Sequence, residues 1–424
     1  MRKPVVLSNG IRVHLLPYTG TQAVTVLVLV GVGSRFESPS LNGASHFIEH
    51  MMFKGTTRRP TTLDISRDLD AVGAEYNAFT GKDYTGYYIT IESGKLSLAV
   101  DMLHDMIFHS KYDEREMDRE RKVIIEEIKM YNENPMMHVE DMLEGVMFCG
   151  SSLGKNIAGT AQTMTKMERD EVIAYRDANY CPSKIVIGVA GKLNGKTLRL
   201  IKNTFGRIKT KNIEPSAFDM FCARALSAKP RCVVENKKLD QIQLALGFLS
   251  FGAKDERLPA ASLLATILGG TMSSRLFIQV RERRGLCYFV RAEVGAYEEI
   301  GNFMIRSGLD RARLKEAVRT IIGEIEKIKS RGVTDRELKE AKDNFRGRLT
   351  LRLEDSSSLA DWYAHQELTL GLARTPKERM AQFDAVTTTE IKKVANEILE
   401  MKKMSVAAIG PFKDEESFLR AAGF

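Results

Sequence analysis

Two histidines and a glutamate lie close together in the stretch GASHFIEHMMFKGT, residues 43–56. On a helix, residues four apart share a face with Cβ atoms roughly 5–6 Å apart, so His46 and His50 could present their imidazoles to one ion. Zinc suits this arrangement, because it binds imidazole nitrogen at about 2.0–2.1 Å. Glu49 lies between them and could reach a water on the ion without being a ligand. The stretch therefore predicts a metal-binding helix, with two solvated surface histidines as the alternative.

A catalytic zinc needs a third protein ligand and keeps its fourth position for water. Candidates lie in ERKVIIEEIKMYNENP, which begins at Glu120 and has the apolar stripe of a helix. Glu120 and Glu127 are two helical turns apart and share a face that Glu126 does not share as well. One of the two could bind the ion while the other supports a ligand histidine. The spacing leaves their assignment open, and a solvated acidic face is the alternative.

The two halves of the chain run through a similar order of elements, which indicates an internal duplication. The run AVTVLVLVGVG (23–33) predicts a buried strand, and QIQLALGFLSFG (241–252) is its counterpart. Each half continues with a helix, two strands, a long charged helical stretch, a helix and an apolar strand. We predict an α+β fold of two structurally repeated domains, each a mostly antiparallel sheet covered by helices. The predicted boundaries are 1–212 for the domain with the histidines, 213–230 for a linker, and 231–424 for the repeated domain.

Four separated motifs together carry a family resemblance. They are HFIEHMMFKGT, GAEYNAFT, ERKVIIEE and SSRLFIQVRERRGLCY. In this order they resemble the pitrilysin/insulinase family of zinc peptidases, whose H-x-x-E-H motif inverts the commoner H-E-x-x-H. The resemblance is strongest to small bacterial members related to mitochondrial processing peptidase, and it extends over essentially the whole chain.

The resemblance implies a zinc-dependent endopeptidase with one zinc ion per chain. It assigns Glu127 as the third ligand beside His46 and His50, and it leaves Glu120 as the acid that supports a ligand. Glu49 would take a proton from the attacking water and pass it to the leaving amine.

The resemblance also implies residues that handle the peptide. Arg281 and Tyr288 match an arginine and a tyrosine seven positions apart in the second half. Tyr288 would donate a hydrogen bond to the oxyanion, and Arg281 would hold a substrate carbonyl or the C-terminal side of the peptide. Asn77 and Ala78 would lie on an edge strand that the substrate extends through backbone hydrogen bonds. A plain core strand is the alternative for this last segment.

Family members of this size imply a homodimer in which each chain forms half of a clamshell. The zinc-bearing half of one subunit would face Arg281 and Tyr288 of the other, and peptides or unfolded and targeting segments would be cut in the closed chamber between them. Both general peptide clearance and maturation of a specific precursor fit this expectation. The alternative function is a non-catalytic scaffold or partner subunit of the same fold.

Composition excludes several other classes. The 424 residues are 43% hydrophobic and 28% charged, typical of a globular protein. The net charge of +8 is spread among interleaved acids, which argues against nucleic-acid binding. The longest apolar run near the start is about half of a membrane span, and no secretory signal is evident, so we expect a cytoplasmic protein without a membrane partner. Five scattered cysteines argue against a disulfide framework.

Overall fold

A computed structural model describes residues 1–209, 216–221 and 231–424 of the chain, which form two β-sheets covered by helices. The predicted linker, 213–230, lies outside the described residues except for 216–221. The described strands are β1 (Val5–Val6), β2 (Arg12–Pro17), β3 (Ala23–Val30), β4 (Glu75–Thr80), β5 (Thr85–Glu92), β6 (Ile185–Gly191), β7 (Arg231–Asn236), β8 (Gln241–Phe251), β9 (Cys287–Ala296), β10 (Ile300–Asp310) and β11 (Ser405–Gly410).

Helices follow most strands in both halves. The described α-helices are α1 (Ala44–Met51), α2 (Thr62–Asp70), α3 (Leu96–His109), α4 (Glu114–Glu133), α5 (Pro135–Met147), α6 (Ala161–Lys166), α7 (Arg169–Asn179), α8 (Thr197–Thr204), α9 (Leu258–Ala265), α10 (Leu314–Arg331), α11 (Asp335–Arg352), α12 (Ser356–Leu370), α13 (Pro376–Asp384), α14 (Thr388–Ile398) and α15 (Glu415–Ala422). Two π-helical turns, Thr266–Gly270 and Phe277–Glu282, interrupt the second half.

The first sheet has six strands in the order β1-β2-β6-β3-β5-β4. Neighbours are antiparallel except for β2 and β6, which are parallel. The apolar sequence of β3 is buried along nearly its whole length, because helices cover both faces of the sheet there. A large core that includes α1 and α3 lies on one face, and α12 packs on the other.

The second sheet repeats this arrangement in the order β7-β11-β8-β10-β9. Its parallel pair is β7 and β11, which occupy the places that β2 and β6 occupy in the first sheet. The matching strand orders confirm the α+β fold with two repeated sheets that the sequence predicted. In both sheets the terminal strand, β4 or β9, pairs on one side only within the described part of the chain.

The chain divides into two compact units that are discontinuous in sequence. Helix α12 packs on strands β2, β3 and β6 and therefore belongs to the first unit. Helix α5 packs on β7, β8 and β11 and belongs to the second. The first unit is 1–129, 155–218 and 348–378, and the second is 130–154, 219–347 and 379–424. These units follow packing, so the boundaries of the repeated domains stay a prediction.

Local sequence explains several element ends. Gly10 adopts a φ of +95° in the turn between β1 and β2, as the Asn-Gly pair predicts. Helix α2 begins with a capping box formed by Thr61 and Asp64, and α14 with one formed by Thr387 and Glu390. These side chains accept hydrogen bonds from backbone N–H groups at the start of each helix.

The described residues contain neither a membrane-spanning helix nor a disulfide bond. Among them, no helix is both long enough and apolar enough to span a bilayer. The four cysteines within the described ranges are free thiols, and Cys222 lies outside these ranges.

Candidate active site

Helix α1 carries the two histidines and is fixed at its N-terminus by a buried carboxylate. Glu37 accepts hydrogen bonds from the backbone N–H groups of Gly43, at 2.8 Å, and Ser45, at 2.7 Å. Gly43 has a φ of +101°, and a Cβ there would lie 2.7 Å from the carbonyl oxygen of Ala158, so only glycine fits. The apolar face of α1 packs into the core and leaves His46, Glu49 and His50 partly exposed.

The structure brings the three predicted metal ligands together within the first unit. The nearest oxygen of Glu127 lies 3.8 Å from Nε2 of His46 and 3.6 Å from Nε2 of His50. One ligand atom from each residue lies within 4.8 Å of the other two. Ligand atoms around a tetrahedral zinc are about 3.3–3.5 Å apart, so small side-chain shifts would suit the ion. Glu126, one position before Glu127, instead pairs with Lys129 on the exposed side of α4.

The protonation of His46 also fits a metal. Burial, and then the neighbouring His50, lower the pKa of His46 to about 4. A neutral imidazole is the form that binds a metal ion. The buried Nδ1 of His46 has no hydrogen-bond partner among the described residues. These residues therefore fit a bound zinc in donor type, number and spacing.

Glu120 lies beside His50, one of the two predicted ligand histidines. Its Oε2 is 2.9 Å from Nδ1 of His50, and its Oε1 is 2.5 Å from the ammonium of Lys54. Burial opposes ionisation of Glu120, but the hydrogen bonds from His50 and Lys54 outweigh it and lower the pKa of the carboxyl. With Nδ1 of His50 engaged, its Nε2 would be available to a bound metal ion.

Glu49 lies beside the ligands, and its carboxylate is held by the first sheet. The hydroxyl of Thr80, the last residue of β4, donates a hydrogen bond to Oε2 of Glu49 at 2.5 Å. Burial raises the pKa of Glu49, while this hydrogen bond and His50 act in the opposite direction. A carboxylate with a raised pKa is suited to act as a general base on a water that a bound metal would hold.

Asn77 and Ala78 lie on β4, which is the last strand of the first sheet. Strand β5 binds one edge of β4, and no described strand pairs with the other. Helix α1 contacts β4, so the strand lies beside the helix that carries His46 and His50. The placement on an edge strand agrees with the expectation, and a role in substrate binding stays a prediction.

Arg281 and Tyr288 lie together in the second unit. Arg281 is on the second π-helical turn, and Tyr288 is near the start of β9. The guanidinium carbon of Arg281 lies 5.4 Å from the centroid of the Tyr288 ring and 4.7 Å from that of Phe277. The Tyr288 residue is 72% exposed. The two side chains are thus joined by a cation–π contact and are exposed to solvent in the single chain.

Sequence reasoning missed three residues that support this site, namely Glu37, Lys54 and Thr80. Lys54 follows His50 by four positions but lies beyond the end of α1, so helical spacing does not place it beside the site. Glu37 lies in the loop before α1 and Thr80 on β4, and no helical or strand spacing rule links either residue to the motif.

The α+β fold with two repeated sheets brings together a His-His-Glu group that could hold a metal ion, with a second glutamate beside it, an arrangement typical of metallopeptidases. Residues 12–161 match the family described as "Insulinase (Peptidase family M16)", and residues 166–345 match "Peptidase M16 inactive domain". The chain belongs to this M16, or insulinase, peptidase family. The resemblance inferred from the sequence motifs is thereby confirmed.

Curated relatives extend over almost the whole chain. An uncharacterised zinc protease of Bacillus subtilis, YmxG, is 34% identical over 97% of this chain and 98% of its own length. An uncharacterised zinc protease of Streptomyces coelicolor is also 34% identical, over 97% of this chain and 90% of its own.

Solved structures of low identity share the fold. A protease from Helicobacter pylori superposes with a TM-score of 0.90 at 22% identity, covering 96% of this chain and 99% of its own. A peptidase M16 inactive domain from Pseudomonas fluorescens has a TM-score of 0.88 at 18% identity, with 96% and 98% covered.

Proposed function

We propose that this protein is a zinc-dependent endopeptidase that hydrolyses peptides or unfolded segments. The observation that carries the proposal is the convergence of His46, His50 and Glu127 beside Glu49. When bound there, zinc would lower the pKa of a water and polarise the scissile carbonyl. The names of the curated relatives agree with this activity.

The residues of the chain have distinct tasks in the proposed reaction. Glu49 accepts a proton from the attacking water and delivers it to the leaving amine, because its carboxylate adjoins the metal ligands. The backbone edge of β4 at Asn77 and Ala78 binds the peptide as an added strand, which fixes the scissile bond without reading side chains. Tyr288 donates a hydrogen bond to the carbonyl oxygen as charge develops on it, and Arg281 holds the peptide beyond the scissile bond.

The proposal includes a homodimer with a shared active site. Support comes from the division of the assigned residues, because the zinc ligands belong to the first unit and the Arg281–Tyr288 pair to the second. The pair is exposed in the single chain, as a surface that meets another subunit would be. Two copies would enclose a chamber that admits peptides and flexible termini and excludes folded proteins.

Metal content and peptide cleavage test the proposal together. The purified protein should contain about one zinc per chain and cleave a quenched fluorescent peptide. Dialysis against a chelator should abolish cleavage, and stoichiometric zinc should restore it. A protein that contains zinc but cleaves no peptide in a broad library would instead be the non-catalytic partner of the same fold.

A further inference from the structure

Thr80 connects the candidate general base to the edge strand of the first sheet. It is the last residue of β4, and its hydroxyl donates to Oε2 of Glu49 at 2.5 Å. Asn77 and Ala78, the proposed peptide-binding residues, precede it on the same short strand. One residue therefore joins the base and the strand that would hold the substrate.

Among the described residues, Thr80 is the one whose side chain donates a hydrogen bond to the Glu49 carboxylate. Two other hydroxyls on this side of the sheet, those of Tyr87 and Tyr180, lie 2.7 Å apart and bond to each other. A glutamate side chain has three rotatable bonds, and its carboxylate needs a fixed orientation to transfer protons efficiently. The contact occupies Oε2 and leaves Oε1 of Glu49 to receive a proton.

We propose that Thr80 is a positioning residue that orients the Glu49 carboxylate and couples it to the edge strand. The inference rests on the proposed peptidase function and adds a residue to it. Thr80 acts through Glu49, and among the described residues its hydroxyl forms a hydrogen bond with Glu49 and with none of the three predicted metal ligands. Its loss should therefore slow the chemical step and leave metal binding unchanged.

The backbone of β4 links the position of a bound peptide to the orientation of the Glu49 carboxylate. Thr80 pairs with Thr85 across the hairpin, and Ala78 pairs with Tyr87, so the strand is held in register by β5 up to its last residue. A peptide added to the free edge would be fixed relative to the same backbone that carries the Thr80 hydroxyl. The β4 backbone would then fix the position of the scissile bond relative to the Glu49 carboxylate.

The experiment compares Thr80→Val, which keeps the shape but removes the hydroxyl, with Thr80→Ser, which keeps the hydroxyl. Thr90→Val is the matched control, because Thr90 lies on β5 and its hydroxyl contacts Thr25 at 2.8 Å, away from Glu49. We expect Thr80→Val to lower kcat about tenfold with KM within about twofold, as for a lost hydrogen bond to a charged group. Thr80→Ser and Thr90→Val should stay within about threefold of the parent in kcat.

Three results of these assays would overturn the inference. The first is a Thr80→Val enzyme with the kcat of the parent, and the second is a Thr80→Ser enzyme as slow as Thr80→Val. The third is a loss of zinc affinity or melting temperature in Thr80→Val that matches the loss of activity, which would mean a structural role.

Crystal structures of the parent and Thr80→Val proteins provide a readout that needs no activity. The Glu49 carboxylate should hold one orientation in the parent and turn away or lose order in the variant. An unchanged carboxylate in Thr80→Val would overturn the inference even if the parent cleaves peptides. Failure of the parent to bind zinc or cleave peptides would instead contradict the proposed function, and the carboxylate orientation would still decide the role of Thr80.

Discussion

Nδ1 of His50 lies 2.9 Å from Oε2 of Glu120, and Nε2 of the same ring faces Glu127 at 3.6 Å. The imidazole of His50 thus lies between the two acids. Glu120 is beside Nδ1, and Glu127 is beside Nε2, the nitrogen that would bind a metal. The second oxygen of Glu120 is held by Lys54, so the orienting carboxylate is itself fixed. The two glutamates seven positions apart on α4 therefore lie beside opposite nitrogens of one ring, which is the arrangement that a supporting acid and a metal ligand would have.

Substitution of the orienting acid should weaken metal binding without removing a ligand. We expect Glu120→Gln to lower zinc affinity and peptide cleavage about 10- to 100-fold, because the amide holds the His50 ring less well. Competition with a chromophoric chelator measures the affinity. An unchanged zinc dissociation constant would mean that Glu120 does not support the ligand.

Substitution of the third ligand should have a larger effect than a change one position away. Glu127→Gln should retain less than about a tenth of the zinc bound by the parent after dialysis, since an amide is a poor zinc ligand. Glu126→Gln is the matched control, because that side chain pairs with Lys129 on the exposed side of α4. Equal zinc loss in both variants, measured by mass spectrometry of the metal, would contradict the assignment.

The carboxyl that caps α1 should make stability depend on pH. Burial raises the pKa of Glu37 to about 7 from an ordinary value near 4.5. The folded state thus binds its proton more tightly than the unfolded state does. The contribution to stability is complete below pH 4.5 and is lost as pH rises through 7, at most about 3 kcal/mol.

Glu37→Gln removes this titration and provides the comparison. The stability of the parent relative to Glu37→Gln should fall between pH 4.5 and 7, as measured by denaturant unfolding of the zinc-free proteins. Parallel stability profiles for the two proteins over this range would show that the buried carboxyl does not titrate as described.

The shared active site predicts complementation between inactive variants. Glu49→Gln lacks the base in the first unit, and Tyr288→Phe lacks the hydroxyl in the second. If subunits exchange at random, mixed dimers should restore about a quarter of the parental activity, because half of the dimers are mixed and each has one intact site. Mixtures with only the summed activity of the separate variants, despite subunit exchange detected by mass spectrometry, would contradict the shared site.

Much of this architecture follows from sequence patterns. The buried run that became β3 and its counterpart in β8 predicted the repeated sheets, and both sheets have the same strand order. The i, i+4 spacing of His46 and His50 predicted a shared helical face, and the structure places both rings beside Glu127. Sequence pattern is sufficient for a buried strand and for a shared helical face, because each depends on neighbours within one element.

Other features depend on contacts between distant segments, which periodicity does not encode. Helix α12 lies in the second half of the sequence but packs on the first sheet, and nothing in its own pattern specifies which sheet it covers. The Thr80 hydroxyl reaches Glu49 because β4 ends beside α1, a placement set by strand order. The choice between Glu120 and Glu127 likewise required a family resemblance, since both share one face of α4.

The most direct test of the central claim is zinc content and peptide cleavage of Glu49→Gln measured on the same sample. Glu49 is proposed to transfer protons and not to bind the metal, so the variant should keep about one zinc per chain. Its cleavage should fall at least about 100-fold relative to the parent, in the range for a lost general base. A variant that keeps its zinc and cleaves the peptide at the parental rate would contradict the proposed mechanism.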